Sequence, residues 1–187
     1  MRRAFVPVVA CFIAGIGLCG ESKPDLTVKS YDGRDVAPLA VTGKKATVLV
    51  FMMHDCPVTN ASTPELGRLA AEFEPRGIQF FGVYATETPA EVTAHRRDYR
   101  LAFDSLLDPD LRLAKLVGAT RAPEAAILSP DGKVLYRGRI DDRATKPGTM
   151  RPTARQRDLH LALEAVSQGR EPEPRYTKAI GCYLSTK

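Results

Sequence analysis

Apolar residues change their spacing along the chain, and each spacing predicts an element. "ATVLVFMM" (46–53) is an unbroken apolar run rich in strand formers, and "IQFFGVY" (78–84) is a second. Runs without alternation suit strands buried on both faces of a sheet. Between them Leu66, Leu69, Ala70 and Phe73 recur at helical spacing, so a helix is expected after Cys56, with Pro57 at its first position and "EPRG" as its end. Pro64 inside that stretch predicts a kink or a later true start. A short extended lead with a turn at Asp32-Gly33 precedes these elements.

Further along, "TPAEVTAHRRDYR" opens with Thr88 as cap, Pro89 at the first position and Glu91 completing a capping box. Asp108-Pro109 is expected to begin another short helix, which Gly118 ends. "EAAIL", "SPDG" and "KVLYRGRI" read as a hairpin. A last helix is expected from Thr153, with Gln156 in the capping position and Leu159, Ala162, Leu163 and Val166 as its apolar face, stopping near Gly169. The order βαβ, helical insertion, ββα predicts an α/β domain with a mixed central sheet flanked by helices.

Met1-Arg2-Arg3 followed by "AFVPVVACFIAGIGLCG" has the form of a secretory signal: basic start, apolar centre, small residues near the end. Cleavage is expected near Gly20, giving a signal at 1–20, a domain at 21–170 and a tail at 171–187. A periplasmic or extracellular location follows, without stable membrane insertion after cleavage. Cys19 raises a lipid-anchored alternative, which Leu18 directly before it disfavours. Cys11 reads as a small hydrophobe within the run.

Length and charge bound the rest. The 187 residues suffice for one domain with a sizeable core. Without residues 1–20 there remain 25 basic and 22 acidic residues, too mild a balance to imply nucleic acid. Residues 133–187 carry 12 Lys and Arg against 6 Asp and Glu, scattered and with few aromatics, which reads as a solvated basic face.

Cleavage leaves two cysteines, Cys56 and Cys182. Cys56 lies where a buried strand hands over to a helix. The helix dipole and unpaired backbone N–H groups at that spot favour thiolate over the reference thiol. The rival reading of Cys56 is an inert buried cysteine.

The chain resembles the thioredoxin-like superfamily, in its redoxin branch of alkyl hydroperoxide reductase and thiol-specific antioxidant proteins (AhpC/TSA). The resemblance rests on "VLVFMMHDCPVTNASTPEL", on "SLLDPDLRLAKLVGATRAPEAAILSPDGKVLYRGRIDD" and on the element order, covering residues 24 to 168. It implies a thioredoxin-like fold with a redoxin-type helical insertion, Cys56 as nucleophile, and Pro123 as the cis proline facing it. It also implies an exposed backbone edge at Ala122 for pairing with a bound peptide. Arg121, just before, is either an attractor for an anionic substrate or a solvated loop residue.

Two departures qualify the resemblance. Cys56-Pro57-Val58-Thr59 ends in threonine where a thioredoxin has its second cysteine. Leu49 and Met53 occupy the positions of the proline and threonine of a peroxiredoxin centre. What remains is a single-cysteine centre with a distant partner thiol. If Cys182 folds back, it serves either as resolving cysteine or in a structural bridge, worth about 5 kcal/mol on the chain-entropy model. Thr59, in the first helical turn, is a candidate donor to the thiolate; His54 is a candidate to stabilise it or move a proton. His95 and His160 read as surface residues.

The expectation is an exported redoxin carrying out thiol–disulfide or peroxide-linked chemistry on protein thiols or small peroxides, with an unspecified thiol donor and no cofactor. Two alternatives stay open: a copper chaperone using Cys56, His54 and Cys182, although Asn60 stands where such proteins place a second cysteine, and a non-catalytic binding domain with a structural disulfide.

Overall fold

The computed structural model describes residues 26–40 and 42–185. Residues 1–20, expected as a signal, with Cys11 and Cys19, lie outside the described residues. No helix among the described residues is long and apolar enough to cross a membrane.

A seven-stranded mixed sheet forms the centre, in the order β2-β1-β5-β4-β3-β7-β8. Its strands are β1 (Val28–Ser30), β2 (Asp35–Val36), β3 (Ala46–Met52), β4 (Ile78–Tyr84), β5 (Asp104–Leu107), β7 (Glu124–Leu128) and β8 (Val134–Gly138). β3, β4 and β5 are parallel, whereas β1, β7 and β8 add antiparallel pairs. Outside the sheet are two short pairs: β6 (Arg121–Ala122) with β11 (Cys182–Tyr183), and the hairpin of β9 (Ala144–Lys146) and β10 (Thr149–Met150).

The unalternating run of β3 has a direct cause: both faces are covered. Val48, Val50 and Met52 pack beneath helix α1 (Pro57–Phe73), α2 (Pro89–Asp98) and α4 (Asp158–Ser167). Leu49 and Phe51 pack with Leu113 and Val117 of α3 (Arg112–Val117) on the other side. Leu66, Leu69 and Phe73 anchor α1, each fully buried and each contributing about 2 kcal/mol of hydrophobic stabilisation.

Helix α1 begins at Pro57 and runs through Pro64, so the later start is overturned. Pro64 has no N–H for the Asn60 carbonyl; the Thr63 hydroxyl donates to that oxygen at 2.8 Å instead. The capping box of α2 forms as expected, with Thr88 and Glu91 exchanging hydrogen bonds.

Two helix starts lie later than expected, and in each a carboxylate holds backbone amides at the start, within the first turn of α3 and just ahead of α4. Asp108 accepts from the amides of Arg112, Leu113 and Ala114, so α3 starts at Arg112. Asp142 accepts from the amides of Arg155 and Gln156, keeping them in a loop, and α4 starts at Asp158. The strand β5 adds an element within the segment read as helical insertion. Its Ser105 is buried, and its hydroxyl accepts from Arg96.

The tail is stitched to the domain. The Arg137 amide donates to the Arg175 carbonyl and the Thr177 amide to the Arg137 carbonyl, while Tyr136 bonds the Thr177 hydroxyl at 2.7 Å. Gly138 permits this close approach, since a Cβ there would overlap Thr177.

Candidate active site

Cys56 occupies the N-cap of α1 with extended backbone, and Pro57 fixes the first helical position. Its residue is wholly buried. The Cys56 thiol donates to the Ala122 carbonyl at 3.3 Å, and the Cys182 thiol donates to the Cys56 sulfur at 2.9 Å. Both cysteines are free thiols. The structure therefore brings together two sulfurs separated by 126 positions.

The two thiols are electrostatically unlike. Burial opposes ionisation of Cys56, but the Cys182 thiol and the amide and hydroxyl of Thr59 outweigh it, and the pKa falls below the ordinary thiol value. Burial and the proximity of Cys56 push Cys182 up to about 11. Of the two, Cys56 is the sulfur that ionises first, with Cys182 still protonated.

Thr59 is wholly buried, and its hydroxyl has no hydrogen-bond partner while Cys56 is a thiol. A thiolate supplies the acceptor that this donor lacks. His54 is turned elsewhere. Its amide donates to Glu87 at 3.0 Å and its Nδ1 lies 3.4 Å from the same oxygen. No hydrogen bond joins His54 to Cys56 among the described residues.

Behind the sulfurs runs a polar chain that reading the sequence missed. Asn60 donates to the His54 carbonyl at 2.9 Å and accepts from His95 Nε2 at 2.9 Å; the Tyr84 hydroxyl meets His95 Nδ1 at 2.8 Å. With Asn60 accepting, Nε2 carries the proton and Nδ1 accepts from Tyr84, a neutral imidazole. His95 is thus buried, a correction to its reading as a surface residue. The signal available was its spacing: His95 lies one turn after buried Val92. His160 is half-buried, its ring edge against Phe73 at 5.6 Å and its Nε2 near Glu72.

Pro123 follows a cis peptide bond from Ala122. The edge at Ala122 is not open, however: β11 pairs with it antiparallel, Cys182 opposite Ala122 and Tyr183 opposite Arg121. The Arg121 guanidinium donates to the Gly181 carbonyl at 3.1 Å and lies 3.8 Å from the Tyr183 ring centroid. Arg121, partly exposed, thus contacts the chain's own tail.

Of the three expected copper ligands Cys56 and Cys182 meet, but His54 does not join them in a ligand cluster among the described residues. His54, Asp55 and Glu87 bring ligand atoms within 4.8 Å of one another, as do Glu72, His160 and Glu164. Neither group includes a cysteine, and Glu87 already serves the amides of His54 and Thr86.

The AhpC/TSA family profile matches residues 19–137, which include the Cys56 junction and the cis-proline turn. The chain is a member of the AhpC/TSA family. The curated thiol-disulfide oxidoreductase ResA of Halalkalibacterium halodurans is 22% identical over 116 residues, 62% of this chain and 65% of that protein. A conserved protein of Geobacillus kaustophilus superposes with a TM-score of 0.77 at 27% identity, covering 90% of this AhpC/TSA chain and 92% of the other. A secreted Mycobacterium tuberculosis disulfide oxidoreductase has a TM-score of 0.52 at 24% identity, over 59% and 80% of the two chains. The fold of this AhpC/TSA protein is thioredoxin-like, and its relatives include thiol–disulfide oxidoreductases.

Proposed function

We propose that this AhpC/TSA protein is a thiol–disulfide oxidoreductase whose working pair is Cys56 and Cys182. The observation that carries this reading is the 2.9 Å contact between a sulfur at a helix N-terminus and a second sulfur held by a strand pairing. Cys56 thiolate attacks one sulfur of a partner's disulfide, forming a Cys56–partner disulfide and expelling the partner's other sulfur as thiolate. Cys182 gives up its proton to solvent and attacks Cys56, and the bond to the partner breaks. The partner leaves with two thiols, and the protein keeps a Cys56–Cys182 disulfide. The same steps run in reverse oxidise a partner dithiol; the partner's potential sets the direction.

Thr59 serves the first step by donating to the thiolate, and the raised pKa of Cys182 keeps it protonated until Cys56 has reacted. The basic start and apolar run of residues 1–20 support placing this chemistry outside the cytosol, where disulfides persist. Intact-mass measurement of the protein exported from cells, expected to lack about the first 20 residues, tests that placement.

Equilibration in graded glutathione buffers, acid quenching, alkylation and peptide mapping test the pair itself. A Cys56–Cys182 bridge that forms and opens reversibly is expected. A bridge that never forms, or that opens only on unfolding, would overturn the reading.

A further inference from the structure

The tip of the tail lies on β6 as an extended strand beside the reactive sulfur, and each of its side chains meets a different restriction. Ile180 shares a small cavity with Val58, Pro123 and Met150. Gly181 runs so close to β6 that a Cβ would overlap the Ala122 carbonyl, although its own backbone is unstrained. Cys182 meets Cys56, and Tyr183, otherwise 69% exposed, lies over Arg121. Main-chain pairing continues with the Leu184 amide donating to the Thr120 carbonyl at 3.0 Å. The root of the tail is fixed separately, at residues 175–177 on β8.

These contacts form an imprint with four positions: apolar, glycine, cysteine, aromatic. We propose that β6 is a strand-docking site selective for a Gly-Cys-aromatic segment of a partner protein, filled at rest by the chain's own Gly181, Cys182 and Tyr183. A partner segment of that pattern makes the same pairing after the tip lifts from β6, with the root still fastened to β8. Its cysteine then arrives where Cys182 now sits, against Cys56. A segment with any side chain before its cysteine meets the Ala122 carbonyl and is rejected by steric overlap rather than by weaker attraction. Selectivity of this kind is set by Ala122 and Arg121, and it rests on the reading of Cys56 as the exchanging thiol.

The test uses the full chain in two forms, Cys182→Ser alone and Cys182→Ser with Gly181→Ala, the second to lift the tip. Three synthetic peptides, Ile-Gly-Cys-Tyr, Ile-Ala-Cys-Tyr and Ile-Gly-Cys-Ser, each carry an aromatic thiol in disulfide linkage. Cys56 thiolate attacks the peptide sulfur, the new disulfide joins peptide to Cys56, and the aromatic thiolate leaves and is read by absorbance. The lifted form is expected to react about tenfold faster with the glycine peptide than with the alanine one, a difference of about 1.4 kcal/mol. It is also expected to favour tyrosine over serine and to outpace the closed form with every peptide. Equal rates for the three peptides, or no gain on lifting, would overturn the proposal. Should Gly181→Ala disturb folding, Tyr183→Ala lifts the tip by removing the stack and is read in the same way.

Mixing the lifted form with Cys56→Ser protein whose Cys182 carries the same aromatic thiol in disulfide linkage asks whether a second copy is the occupant: the Cys56 thiolate attacks the Cys182 sulfur, the intermolecular disulfide forms and the aromatic thiolate leaves. Intermolecular bridging faster than the glycine peptide would overturn the partner-protein assignment. Peptides that do not discriminate, with a wild-type bridge forming normally, would remove this inference and leave the redox pair standing. A wild-type chain that forms no bridge would remove the redox pair, while the peptide rates still report on β6.

Discussion

Ala122 stands opposite Cys182 in the pairing of β6 with β11, and its carbonyl also accepts the Cys56 thiol. One residue thus holds both sulfurs, and the distance between them follows from strand register rather than from a shared helical turn. In Cys182→Ser the strand pairing persists but the second sulfur is gone. The Cys56–partner disulfide is then expected to accumulate, with release slowed at least about tenfold. Acid-quenched mass spectrometry of the reacting mixture reads this directly; unchanged release would mean that Cys182 does not resolve the intermediate.

Thr59→Val keeps the shape of the side chain and removes its unpartnered hydroxyl. The Cys56 pKa is expected to rise, because the thiolate loses a donor. At a pH that keeps Cys56 a thiol, reduced protein is expected to gain about 1 kcal/mol, because a buried hydroxyl without a partner is gone. Alkylation rate against pH, together with urea unfolding of the reduced form, separates the two effects.

Burial, reinforced by the positive charge available to His54, holds His95 below its ordinary value of 6.5. The unfolded chain takes up a proton near that value that the folded chain refuses, so stability is complete above pH 6.5 and falls as pH drops toward the lower folded value. A progressive loss of stability as pH falls below 6.5 is expected. His95→Gln, which can still meet Asn60 and Tyr84, should flatten that slope; denaturant midpoints across pH 5 to 8 measure it.

A Cβ on Gly138 would overlap Thr177 at the root of the tail. Gly138→Ala is expected to cost about 2 kcal/mol and to loosen the strap. Cys56 should then alkylate faster in native protein, while the β3–β4 core keeps its slow amide exchange. An unchanged alkylation rate would show that the tail does not guard the sulfur.

What was legible in the sequence follows from how local each cause is. β3 and β4 could be read because both their faces are buried, which leaves one polar residue in each run, Thr47 and Gln79; the capping box of α2 lies within four consecutive residues. β5 escaped because Asp104 and Ser105 interrupt its apolar character, and the buried Ser105 is satisfied by Arg96 from another element. The starts of α3 and α4 depend on Asp108 and Asp142, carboxylates whose reach no propensity records. Cys56 announced itself by its junction with Pro57. Its meeting with Cys182, the closing of the Ala122 edge and the burial of His95 are tertiary, and only the folded chain displays them.

The parallel bridge between Arg137 and Tyr176 covers the outer side of β8, the last strand of the seven-stranded sheet. An uncovered strand there would offer a row of unpaired amides and carbonyls to any neighbouring chain. The segment that shields the reactive sulfur therefore also shields the sheet. Detaching its root would release reactivity and self-association together, so chemical restraint and solubility in this protein share one fastening.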